Sequence, residues 1–116
     1  MATSKSRDAI WQEWRERVNM APADLESWLE TDESRSVGDN NSGESTGHAS
    51  GRRIVEIKRT NKDELTDSHW EHMATVVGYI NRHCAQGGPK TDVETSAWRY
   101  SLMNWGHDPL KSDGCR

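Results

Sequence analysis

The segment "TDSHWEHMATVVGYINRHCAQGGPK", residues 66–90, decides how the chain folds. Trp70, Met73, Val77, Ile80 and Cys84 recur every three or four residues, which places them on one stripe of an α-helix. Thr66 is a good helix N-cap, Asp67 complements the positive end of the helix dipole, and the Gly-Gly-Pro that starts at Gly87 stops the run. The same periodicity extends outward in both directions. Ile10, Trp11, Trp14 and Val18 share a face between Ser6 and Asn19. Leu25, Trp28 and Leu29 line up in a short helix from about Pro22 to Glu30, whose first turn tolerates the missing proline N–H and favours Asp24 and Glu26. A third helix is expected to begin between Gly47 and Ser50 and to run to about Thr60. A last one, capped by Asp92 and ended by Gly106, carries Trp98, Leu102 and Trp105. No stretch alternates with period two and no internal repeat is visible. The expected fold is all-α: a single domain over residues 1–116 with about five helices, a polar loop at 31–46, and disordered tails at 1–5 and 110–116.

Composition fits one small domain. A chain of 116 residues can bury roughly two thirds of the surface its unfolded form exposes. Six tryptophans and no phenylalanine predict a tryptophan-rich core. No apolar run approaches the ~20 residues of a membrane span, and the first residues lack the apolar centre of a signal peptide. The expectation is therefore a soluble, intracellular protein without a membrane partner. Cys84 and Cys115 form no disulfide framework and show no metal-ligand spacing, so both are expected to be free thiols.

Charge is unevenly divided. Residues 1–46 carry five basic and ten acidic side chains, residues 47–62 carry five and one, and residues 63–116 carry five and eight. The middle segment is the only strongly positive island in a chain of net charge -4. Drawn as a helix, it directs Ile54 and Ile57 one way. His48, Arg52, Arg59 and Lys62, at i, i+4, i+11 and i+14, form a stripe on the opposite side. Glu56 lies within this stripe as an internal partner. Ser45, Thr46, Gly47 and Ser50 at the helix start add hydroxyls and backbone N–H groups, while Arg52 and Arg53 can fork onto one phosphate. The candidate nucleic-acid-binding residues are His48, Ser50, Arg52, Arg53, Arg59 and Lys62, with double-stranded DNA as the partner and contacts mainly to phosphate. The competing reading is a solvated face whose arginines pair with the acidic first segment.

Other chemistries fit less well. "GHASGRR" lacks the Gly-Lys-Ser/Thr ending of a phosphate-binding loop, and no buried strand precedes it. His69 and His72 are three apart, whereas a zinc-protease helix spaces its histidines by four. His72 and His83 lie three turns apart, too far to share an ion. The sequence predicts no catalytic residue, metal or cofactor. The six tryptophans are expected in the core, and Tyr100, off the Trp98–Trp105 face, against a second neighbour or a partner.

The strings "VNMAPADLESWLETDESRSVG", "GESTGHASGRRIVEI" and "WRYSLMNWGHDP" resemble a family of small proteins of unknown function whose members are often labelled DNA-binding. The likeness runs from about Trp11 to Pro109. It implies DNA binding and adds no catalytic residue. Two function classes follow: a small DNA-binding module, or a non-enzymatic protein-interaction module that uses the acidic segment and the basic helix.

Overall fold

The computed structural model describes residues 6–37, 46–112, 114 and 115. Among these every regular element is helical, with no strand, and the elements form one small globule. Its helices are α1 (Arg7–Arg17), α2 (Pro22–Leu29), α3 (Asp32–Ser36), α4 (Thr46–Lys58), α5 (Asp67–Gln86) and α6 (Ala97–Asn104), with single 3-10 turns at Lys62–Glu64 and Val93–Thr95. Residues 1–5 and most of the expected polar loop lie outside the described residues.

Local chemistry starts each helix. Ser6 and Thr31 accept hydrogen bonds from the amides of Ala9 and Ser34. Thr66 accepts from His69 at 3.2 Å, and the His69 ring returns the bond by accepting the Thr66 amide at 3.1 Å, so a histidine completes a capping box usually closed by Glu or Gln. Ala21 offers no side-chain cap to α2, which begins instead on the fixed φ of Pro22. At the end of α6, Gly106 takes φ 84°. There the amides of Gly106 and His107 bond back to Met103 and Leu102, a Schellman closure.

Three expectations are corrected. The segment read as loop from residue 31 contains α3, because Thr31 caps it and the small Ser34 is buried at its inner side. Asp92 does not cap the last helix: it adopts a left-handed φ of 55° before the 3-10 turn, and Ser96 is the cap of α6. The cysteines are not free thiols. Cys84 and Cys115 form a disulfide with Cα atoms 5.9 Å apart, a pairing that sequence spacing could not reveal because the fold closes the distance. It ties residue 115, in the expected C-terminal tail, to the last turn of α5.

The core collects one face from nearly every helix. Ile10 and Trp14 of α1 and Val18 just beyond it meet Trp70, Met73, Val76, Val77 and Ile80 of α5. Leu25 and Leu29 of α2, Ile54, Val55 and Ile57 of α4, and Leu102 with Trp105 at the α6 end complete the cluster. Trp14, Trp70 and Trp105 are buried, while Trp11, Trp28 and Trp98 are half-buried around the cluster. α1 lies along α5, α2 along α4, and α6 touches α2, α3, α4 and α5. Near-parallel rings join α5 to the α6 region: His72 on Trp105, Trp105 on Tyr79 at 4.2 Å, Tyr79 on His83 at 5.3 Å, and His83 on Trp98. Tyr100 packs on Trp28, with ring centroids 5.3 Å apart, and so finds its second neighbour inside the molecule.

Candidate nucleic-acid interface

The basic segment folds as α4, yet it is a central helix rather than a surface attachment. Gly51 is buried where α4 crosses α2 and α6, and a Cβ there would sit 2.7 Å from both the Asn104 carbonyl oxygen and a Leu29 methyl. Gly47 faces Trp105. The N-terminal end of α4 is therefore covered by the α6 region. Ser45 and the Thr46 side chain, expected to help form an anion site there, lie outside the described residues.

The predicted binding residues separate in space. Ser50 is 4% exposed and shares a 3.0 Å hydrogen bond with the His72 ring, so its hydroxyl points into the fold. That takes it away from the anion site expected at the start of the helix. The reason lies in the helix phase, which turns position 50 inward with Ile54 and Ile57. His48 is half-buried and donates through Nε2 to the Leu29 carbonyl at 2.6 Å. Arg53, half-buried, donates to the Ser68 hydroxyl at the start of α5. Arg59 chelates Glu26 of α2 with bonds of 2.8 and 2.9 Å. Lys62 does not continue the stripe, because α4 ends at Lys58. It sits on the following turn with its ammonium 4.9 Å from the Trp11 ring centroid. Arg52 is exposed.

One convergence was not legible in the helical wheel. Arg35 of α3 and Arg52 of α4 line the same open groove, about 420 Å³, together with His48, Leu29, Val55, Glu26 and Glu30. Arg35 escaped the sequence reading because it lies in a stretch read as loop. Only the folding of α3 against α6 carries it to α4.

Burial and neighbours set the titration of this region. The hydrogen bond from His69 holds the Glu56 carboxyl below its ordinary range, with Arg53 adding to the effect. Burial, then the field of Arg53, pushes His72 below the usual histidine value. Lys58 is lowered by burial and by Lys111. Its ammonium bonds the Val18 carbonyl at the end of α1, so this cation serves the fold and not the outer face.

The chain is thus an all-helical globule with a mixed-charge groove between α2, α3 and α4, and no helix among its described residues is long and apolar enough to cross a membrane. Residues 13–103 match the profile of a family described as "protein of unknown function (DUF3140)", and the chain belongs to that family. No curated protein and no solved structure matches it.

Proposed function

We propose that the protein is a non-catalytic DNA-binding module that grips the phosphate backbone through the α3–α4 face. The observation that carries this reading is the convergence of Arg35 and Arg52, from two helices, on one open groove. Arg59 lies on the same side, beside Glu26, another groove-lining residue. Guanidinium groups suit phosphate because their forked donors match its oxygens. The Arg59–Glu26 pair is about half exposed on both sides. An ion pair so exposed is worth no more than about 1 kcal/mol, so a phosphate competes for the arginine at little penalty. Among the described residues the face carries no Asn or Gln placed to read adenine, so their contacts are to phosphate and binding through them depends weakly on sequence.

Glu26 and Glu30 in the groove favour a second reading, in which the same face docks a protein surface of complementary mixed charge. Titration with duplex DNA separates the two. With three phosphates neutralised, the logarithm of affinity falls against the logarithm of salt with a slope of about -2.7. Arg52→Glu combined with Arg59→Glu, shown to be folded by circular dichroism, should abolish binding at low salt. Equal binding by both proteins, or none by either, rejects the DNA reading and leaves the protein-docking one.

A further inference from the structure

A cluster at the opposite end of the chain has no role in that groove. Cys84 lies in the last turn of α5, His107 just past the end of α6, and Cys115 beyond any regular element. The two sulfurs and a His107 ring nitrogen all lie within 4.8 Å of one another. We propose that, once the Cys84–Cys115 bond is reduced, these three side chains form a binding site for a thiophilic divalent cation such as zinc.

The histidine is already arranged as a ligand. His107 is fully buried, and its Nδ1 faces the Arg17 carbonyl, which can only accept, so Nδ1 carries the proton. Its Nε2 faces the Cys115 backbone amide at 3.3 Å, which can only donate, so Nε2 presents its lone pair toward Cys115. A ring fixed by a backbone carbonyl at one nitrogen, with the other directed at the ion, is the usual orientation of a metal-bound imidazole. On coordination, Nε2 exchanges its long bond from the amide for the metal.

Cys84 and His107 both sit at helix C-terminal ends. Two thiolates at ~2.3 Å and one imidazole at ~2.0 Å make three of the four corners of a tetrahedral zinc site, leaving the fourth to solvent. The bonded sulfurs must separate to roughly 3.8 Å to share such an ion. Cys115, outside any helix, can supply that movement. The chemistry balances in two steps. Two molecules of an external thiol reduce the disulfide, giving two cysteine thiols and one external disulfide. The ion then displaces both thiol protons and binds the two sulfurs. Disulfide and metal therefore exclude each other.

Cobalt(II) serves as the spectroscopic probe. Full-length protein reduced with a phosphine and titrated with cobalt should bind one ion per chain. Thiolate-to-cobalt charge-transfer bands and intense tetrahedral d–d bands should appear, and zinc should displace them. Both cysteines should become resistant to alkylation in the metal-bound form, and the oxidised protein should show no such bands. Because His107→Ala removes a fully buried side chain and can unfold the domain, Cys84→Ser and Cys115→Ser carry the test, each checked by circular dichroism. Loss of the charge-transfer bands in either variant supports the site. Absence of these bands in the folded reduced protein overturns it, and so does cobalt binding that is unchanged in both serine variants.

Discussion

At the scale of single residues, several side chains work in places where their type is unusual. His69 closes a capping box and also pairs with Glu56 at 2.9 Å, so it joins α5 to α4. His83 is stacked between Tyr79 and Trp98, and its Nε2 is buried without a partner among the described residues. Burial pushes both His72 and His83 below the ordinary histidine value of 6.5. The unfolded chain then takes up protons at a higher pH than the folded one does. Their contribution to stability is full above about 6.5 and is lost as pH falls through 6.5 toward the folded values. At Asp108, burial opposes ionisation, but the paired hydrogen bonds from Arg99 and the Leu110 amide overcome it and hold the carboxyl below 3.8. That contribution persists above the ordinary value and disappears only in stronger acid. Urea unfolding between pH 7.5 and 5 should show falling stability, and His83→Gln should flatten the dependence. A profile unchanged by His83→Gln would mean that this ring is solvated in solution.

Among elements, the docking of α3 and the crossing of α4 are the most specific features. α3 is five residues long, too short to be stable alone. It is held by Asn104, which is 2% exposed. The Asn104 side-chain oxygen accepts from the Trp28 indole at 2.8 Å and from the Ser34 hydroxyl, while its amide donates to the Ser34 carbonyl at 3.1 Å. Asn104→Ala leaves these groups without partners and should destabilise the protein by about 2–4 kcal/mol, since each buried unpaired group costs about 1–3 kcal/mol. Amide exchange should rise first in α3 and at the Trp28 indole. Gly51→Ala tests the crossing. Its Cβ would meet a backbone oxygen that cannot move aside, so overpacking of about 1–3 kcal/mol is expected despite the better helix propensity of alanine. A stabilised Gly51→Ala protein would show that α4 crosses α6 less closely.

For the whole molecule, the two ends of the described chain are fastened to each other, and the C-terminal end also to α5. Asn19 clamps the Asp108 backbone through bonds of 3.0 and 2.7 Å, and Lys111 donates to the Asn19 carbonyl. The disulfide closes a separation of 31 residues. Chain-entropy reasoning gives a loop of that length about 3–4 kcal/mol of stabilisation. Denaturant unfolding in metal-free buffer, with and without a reductant, should differ by that amount. Coincident transitions would show that the two cysteines do not pair in solution.

The type and order of the helices other than α3 were readable from residue order alone. Burying a stripe every 3.6 residues is a local demand, and caps such as Thr66 act within four residues of themselves. Pro22 and Gly106 likewise mark their boundaries without reference to anything distant. The outward face of α4 was less legible: a helical wheel gives angles but not neighbours. Ser50 turned inward, Lys62 fell beyond the helix end, and Arg35 came from a segment with almost no apolar signal. Three features depend on contacts between residues 70 to 90 positions apart: the Asn104 node, the Asn19 clamp and the His107–Arg17 bond. The Cys84–Cys115 pair spans 31 positions and belongs with them. Polar groups this far apart in the chain pair only after the apolar stripes have packed. Periodicity carries no record of which helix will lie beside which, so these contacts were decided by the tertiary structure alone.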